Sequence, residues 1–370
     1  MRRIIAQARK ELRQISRDRL ALALAFLLPA ILLTLLGSAI SLTVSNLPIV
    51  VQDLDATPLS RKYIEVFQTS LTFHVVALAP SEQPEHALQV NDARAAIIIP
   101  QHFERNVLRG QNTAVQILVD ATEPNTANIL RGSLAALTQV FLSQALPPSL
   151  RARPAIKTVS RLWFNPGRDS KKFFAPGNFV LGLSMFPPLL AALAMAREWE
   201  QKTILQVYVS SISAHEYLLG KIAAYTIIGI IEWMVGLAML FGVFGLWLVA
   251  DPTPFLVGSF LFLVCVVGFG VMIGAGISNQ AAAVQAVAIG GFMMAFLLSG
   301  LIFPIETIPK FLQPFSNLAQ ARYYIVIVRD ALIRGGGWRA VWWDVLAIGI
   351  LASAFYGLAW RKMRLMQLKD

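Results

Sequence analysis

The sequence is poor in charge, in cysteine and histidine, and in the short signatures that mark soluble catalysts. Only 14% of its 370 residues are charged, against 56% hydrophobic, where a soluble globular domain carries about 25% charged residues. That balance excludes an ordinary soluble globular protein and leaves a protein built into a bilayer. The single cysteine, Cys265, allows neither an intramolecular disulfide nor a cysteine-built metal site. Among the four histidines, His74, His86 and His102 have no paired ligand spacing, so no metal is expected. No G-x-x-x-x-G-K-[ST] phosphate loop is present, so P-loop hydrolysis of ATP would have to come from another chain. H-E-x-x-H and Ser-His-Asp signatures are also missing, which leaves a membrane hydrolase without support. Lys and Arg outnumber Asp and Glu by 32 to 21, a net charge of +11. These basic residues stand beside apolar runs and not in a stripe interleaved with aromatics, so they read as membrane topology and not as nucleic-acid binding.

What the chain has in abundance is apolar runs of spanning length. Residues 20–44 carry no charge, enough to cross roughly 30 Å of hydrocarbon at about 1.5 Å per residue and too long for a signal-peptide core. Further spans are expected at 173–196, 222–250, 255–277, 281–303 and 341–360, the last opened by Trp338, Trp342 and Trp343 as an interface belt. Pro176, Pro187 and Pro188 in the second span require neighbouring protein to satisfy the carbonyls they free. Gly270 and Gly274 in the fourth form a small-xxx-small face for close packing. Residues 46–172 contain no spanning run. There, strand-like stretches at 48–55, 73–78, 95–99 and 115–119 alternate with helix-like spacing at 59–70, 84–91, 102–110 and 126–145. The expected fold is therefore an α-helical integral membrane protein with about six transmembrane helices, plus an inserted α/β domain. Asp53 and Asp55 follow the first strand and read as turn residues, with a catalytic acid pair as the alternative.

Residues 1–19 hold Arg2, Arg3, Arg9, Lys10, Arg13, Arg17 and Arg19, with Ile4, Ile5, Ala8, Leu12 and Ile15 at helical spacing. This is the pattern of an interfacial helix whose aliphatic face dips toward acyl chains. A polar island at 196–221 separates the second and third spans, and Ile204, Leu205, Tyr208 and Val209 fall on one side of a helix within it. Such a helix lies along a membrane or against a partner; a plain solvated loop is the alternative. The basic flanks place the amino terminus, the island and the tail 362–370 on the cytoplasmic side, and residues 46–172 outside. Glu232 lies within the third span, as a functional carboxylate or as a structural hydrogen bond to a neighbour. At 299–317, Pro304, Pro309 and Pro314 break an apolar stretch, which suggests short re-entrant helices in the outer leaflet, or else a plain loop.

Several stretches carry a resemblance. VVQDLDATPLSR at 50–61, AIIIPQHF at 96–103, VDATEPNT at 119–126 and WFNP at 163–166 lie in or after the insertion. AREWE at 196–200 with Thr203, LSGLIFPIE at 298–306 with Ile308 and Pro309, and Arg322-Tyr-Tyr324 lie in the later half. In this order they resemble the permease subunit of ABC-2 type transporters, in the multidrug-exporter-like branch with a large outer domain between the first two helices. The resemblance implies a coupling segment at 196–217, with Arg197, Glu198, Glu200, Thr203 and Leu205 meeting a separate ATP-binding cassette ATPase. It implies that ATP is bound by that partner and that this chain has no cofactor of its own. It also implies a second permease copy or paralogue, a periplasmic adaptor as a further candidate, contact with membrane lipids, and a place in the cytoplasmic (inner) membrane with both termini cytoplasmic. Glu232, Ser299, Gly300, Pro304, Glu306 and Pro309 become candidates for the translocation path. The chain has Glu200-Gln-Lys-Thr203 where the family usually has Glu-x-Gly-Thr, and Ser211 where a proline is usual. The expected function is export of a substrate driven by ATP hydrolysed on another subunit. A non-transporting envelope receptor or scaffold with a ligand-binding outer domain is the alternative. An ion-coupled transporter would want inverted repeats and several intramembrane ionisable residues, and no convincing repeat is seen.

Overall fold

A computed structural model describes residues 1–39, 46–76, 78, 83–90, 92–111, 113–120, 124–145, 170–249, 251–301 and 305–364. The chain divides into two compact units, Met1–Ser41 with Leu162–Asp370, and Leu42–Arg161. The first helix, α1 (Arg2–Ser16), is followed by α2, a run composed of Arg19–Leu22, a π turn at Ala23–Leu27, and Leu28–Ala39. Pro29 follows the π turn. Its ring has no amide to donate and crowds the carbonyl four residues back, so a widened turn at that point relieves the clash.

The unit 42–161 is a small α/β fold. Its described elements are β1 (Leu47–Asp53), α3 (Pro58–Gln68), β2 (Phe73–Val76), α4 (Pro84–Gln89), β3 (Ala95–Ile99), α5 (Phe103–Leu108), β4 (Gln116–Val119) and α6 (Pro124–Ala145). The sheet order is β2-β1-β3-β4, with β1 parallel to β2 and β3, and β4 antiparallel to β3. Alternation along the strands sorts the side chains. Leu47, Ile49 and Ile97 pack with Tyr63, Phe67, Leu134 and Phe141, while Val50 and Ala96 pack with Ala87 and Ala93. The aspartates are turn residues. Asp53 Oδ1 accepts from the Asp55 and Ala56 amides at 3.0 Å and its Oδ2 from Ser60 Oγ at 2.6 Å. Asp55 Oδ2 accepts from Thr57 Oγ1 at 2.7 Å and from the Glu104 amide at 2.9 Å. The WFNP stretch at 163–166 lies outside the described residues.

The remaining helices are α7 (Ser170–Glu200), α8 (Ile204–Val209), α9 (Ala214–Gly242), α10 (Thr253–Gly276), α11 (Gln280–Leu298), α12 (Gln320–Arg329) and α13 (Trp338–Met363). Five of these, α7, α9, α10, α11 and α13, are long and apolar enough to cross a membrane. The sixth expected span corresponds to α2, helical up to Ala39, with residues 40–45 outside the described set. The third span differs from expectation at both ends, and its helix stops at Gly242, short of the expected 250. It begins at Ala214 and not at 222, because Ser213 and Glu216 form a capping box: the Glu216 amide donates to Ser213 Oγ at 3.2 Å and the Ser213 amide to Glu216 Oε2 at 3.0 Å. The polar island is therefore the end of one long helix, one short helix and the first turns of another. Helix α7 lies at the centre of the bundle, its three internal prolines accommodated. Gly270 and Gly274 let α10 approach it closely: a Cβ on Gly270 would lie 2.2 Å from the Pro188 carbonyl oxygen, and one on Gly274 2.7 Å from that of Ala192. After α11 the backbone turns at Gly300 (φ +79) and passes through a 3₁₀ turn at Ile305–Thr307 and a single helical turn at Gln313–Ser316.

Candidate functional site

Two groups of polar side chains stand out in the helical unit. The first lies where α1, α7 and α9 meet. Glu198, near the end of α7, is buried and ion-paired to Lys10 and, at 3.4 Å, to Lys221; it also accepts a hydrogen bond from Tyr217. Glu11, buried on α1, accepts from Lys221 Nζ at 3.0 Å, Lys10 Nζ at 3.3 Å and Gln7 Nε2 at 2.9 Å, and its other oxygen from Tyr225 at 3.2 Å. Lys221 is 0% exposed. Two carboxylates and two ammonium groups thus neutralise one another, with two tyrosine hydroxyls taking up remaining lone pairs, as buried charge requires. Burial pulls the Lys10 pKa down, but Glu11 and Glu198 beside it hold the ammonium above its ordinary value.

This cluster corrects the reading of residues 1–19 as a helix facing acyl chains. Ile15 is buried with Tyr217, Tyr225 and Met195, and Ala8 and Leu12 pack against the same group. Gly220 allows the approach, since a Cβ there would sit 2.7 Å from the Gln7 side chain. Sequence reasoning passed over Lys10, Glu11 and Lys221. The available signal was that Glu11 falls in line with Ile4, Ala8 and Ile15 at i, i+4, i+7 and i+11, a lone acid inside the apolar stripe.

Around the cluster, Arg197 donates from both Nη atoms to Asp18 Oδ2 at 3.3 Å and reaches Gln280 Oε1 at 3.5 Å. Glu200 accepts from the Gln280 amide at 2.9 Å and its Nε2 at 3.3 Å, which satisfies an orphan donor at the start of α11. Thr203 Oγ1 donates to the Glu198 carbonyl at 3.4 Å. Three of the five expected coupling residues, Arg197, Glu198 and Glu200, therefore join helices to one another, and Thr203 ties the turn before α8 back to α7. The fifth, Leu205, is exposed, as is Val209 at 89%, whereas Ile204 is buried and Tyr208 stacks edge-on with Trp199. The expected single apolar side of α8 is split accordingly: Ile204 and Tyr208 pack inward, and Leu205 and Val209 face out. A groove of about 340 Å³, lined by Lys10, Gln14, Gln201, Gln206 and Val207 among others, runs beside it.

The second group lies between α2, α7 and α9. Glu232 of α9 and Asn178 of α7, each 3% exposed, line a small cavity of about 20 Å³ with Phe26, Pro29, Leu33 and Met239. Neither Glu232 oxygen nor Asn178 Nδ2 has a hydrogen-bond partner among the described residues. Ser299, Gly300, Glu306 and Pro309 do not line this cavity, and Pro304 lies outside the described residues. Ser299 is buried, its Oγ accepting from the Leu301 amide at 3.3 Å, while Glu306 and Pro309 are exposed. A link the sequence did not show runs through Leu301. Its side chain fills the space of the missing Cβ at Gly177, next to Asn178. Its carbonyl accepts from Arg329 Nη2 at 3.4 Å, and that guanidinium lies 4.6 Å over the Phe173 ring.

Comparison with known proteins agrees with this architecture. A model of the family described as ABC-2 family transporter protein matches residues 19–361. The chain is 28% identical over 367 residues to the probable multidrug ABC transporter permease YbhS of Escherichia coli K12, covering 98% of this chain and 97% of the relative. It is 26% identical to YbhR of the same organism, which carries the same description, over 96% and 97% of the two chains. The inner membrane transport permease YhhJ of that strain is 23% identical over 86% and 85%.

Proposed function

The chain belongs to the ABC-2 family of transporter proteins and is a permease subunit, a premise from which we propose how it is coupled and what it passes. A separate ATP-binding subunit is implied by that membership, and the surface it meets is the exposed side of α8, at Leu205 and Val209. The observation that carries this reading is the joint of buried Glu11, Glu198 and Lys221, closed from its exposed side by Lys10, beside α8. A push on α8 passes through Glu198 to α7, through Lys221 to α9 and through Glu11 to α1, while Glu200 and Arg197 carry it to α11. Charged groups locked in a neutral cluster move as one body, because separating any of them strands a buried charge.

Glu198 thus transmits motion from within and Glu200 from the exposed end of α7, and Leu205 and Val209 make the contact. Cargo moves outward past Glu232 and leaves beside Ser299, Gly300, Pro304, Glu306 and Pro309. Both termini and α8 face the cytoplasm, the unit 42–161 lies outside, and a second copy or paralogue of the chain completes the pathway. The test is to replace Leu205 and Val209 together with Glu. The protein should insert and keep its thermal midpoint, because both side chains are already exposed, yet lose co-purification with its ATPase and ATP-driven transport by an order of magnitude or more, the usual scale for removing apolar anchors from an interface. Retention of both by the double variant overturns the assignment of α8.

A further inference from the structure

The described residues satisfy their other deeply buried acids. Glu11 and Glu198 are held by lysines and tyrosines, and Asp330 accepts from the Gly336 and Gly337 amides at 3.0 and 2.9 Å. Glu232 is the exception, with two oxygens unpartnered at 3% exposure, and Asn178 Nδ2 on the same cavity is unpartnered as well. An unpaired carboxylate at bilayer depth is expensive and marks a functional position.

We propose that the cavity between α2, α7 and α9 binds the protonated amine of an amphipathic molecule, with Glu232 as its counter-charge and Asn178 as a donor to a neighbouring hydroxyl or carbonyl oxygen. The proposal rests on reading the chain as an export permease and names the chemical class of what it carries. Charge selects the ligand: among the described residues no Lys, Arg or His lines the cavity, so nothing there pairs with an anion, while an entering ammonium supplies the partner that an ionised Glu232 needs. A bare metal ion is disfavoured, since calcium or magnesium takes about six oxygen ligands and one carboxylate beside an amide donor supplies too few. Size selects the part of the ligand that enters. About 20 Å³ accommodates a water-sized group such as an ammonium head but no ring system. The apolar remainder lies along Phe26 and Leu33 in the cavity wall and along Ile231, Met234 and Val235, which α9 leaves exposed. The site is also placed to report occupancy outward, because Asn178 adjoins Gly177, on which Leu301 of the proline-broken segment rests.

The test uses the full-length chain in lipid nanodiscs, with rhodamine 6G as an amphipathic cationic probe, Nile red as a neutral one, and binding to empty nanodiscs subtracted. Losing one charge-assisted hydrogen bond weakens binding by roughly tenfold or more. Glu232→Gln should therefore reduce rhodamine 6G affinity by that factor and leave Nile red unchanged, while Glu232→Asp, which keeps the charge, stays within about threefold of the native chain. Equal rhodamine binding by the native and Gln chains overturns the proposal, as does an equal loss of both dyes or no saturable binding to the native chain. Export is read separately, as ATP-dependent dye uptake into inverted vesicles carrying the assembled transporter. Glu232-dependent binding without any uptake defeats the export reading and leaves the amine site standing; uptake that Glu232→Gln does not alter defeats the amine site and leaves export standing.

Discussion

Lys221 is the residue on which the packing of α1 depends, because it alone touches both buried carboxylates from α9. Replacing it with Met leaves Glu11 and Glu198 facing each other across Lys10, and breaking a buried pair from one side typically costs about 3–5 kcal/mol. The Lys221→Met chain should therefore show a lower thermal midpoint and faster amide exchange across α1, and adding Glu11→Gln should recover much of the loss; no change in α1 exchange would contradict the joint. The pH dependence has a definite sign. Lys10 is held above its ordinary value of 10.5, so its contribution is fully present below that pH and is lost only as pH rises through the higher folded value. Protection of α1 should accordingly stay level from neutral pH to about 10 and fall beyond it. None of this was legible from composition. Lys221 stands four residues past Tyr217, at what reads as the end of a polar island, and its partner lies 210 residues earlier. Local pattern carries no information about such a pairing. Glu232 was legible, since an acid inside an apolar run is visible in one dimension, although its lack of a partner is not.

Among the elements, the crossing of α7 and α10 sets the shape of the bundle, and it is governed by backbone proximity. Gly270→Ala would force a methyl to within 2.2 Å of the Pro188 oxygen, in backbone that cannot rotate away. Overpacking of this kind costs about 1–3 kcal/mol. Gly349→Ala on α13 meets nothing within 4 Å among the described residues and should be neutral or gain the modest helix preference of Ala, up to about 1 kcal/mol. Thermal unfolding in detergent, followed by circular dichroism, should separate the two variants in that order; equal midpoints would mean that the close approach is relaxed in the protein. Both glycines sit in apolar helices, and spacing singled out Gly270 because Gly274 follows it by four. The strands and helices of the inserted unit were legible from alternation within a few residues of their ends. The start of α9 was misplaced because hydropathy finds where the apolar run begins, while the helix begins where Ser213 caps it.

For the whole molecule, the orientation proposed above puts the unit 42–161 outside the cytoplasm and α8, α1 and the carboxyl tail inside. Protease added to intact spheroplasts should cut within 42–161 and leave an epitope after Arg361 untouched until the membrane is opened; cutting of the tail alone would reverse the topology. The family was legible from motif order, and the two-unit architecture from the change in composition after the first apolar run. What stayed hidden is the joint that ties the first helix to the fourth long element of its unit, because closing it requires the intervening insertion to be accommodated first. That separation also bears on how the protein is made. Glu11 is translated 210 residues before Lys221, an interval on the order of 10 to 40 s at ordinary elongation rates. During that time the nascent amino terminus carries a carboxylate with no lysine from α9 to receive it. Docking of α1 therefore requires that α7 and α9 have both been made, so a chain arrested earlier lacks the lysine and the carboxylate that hold α1 in place.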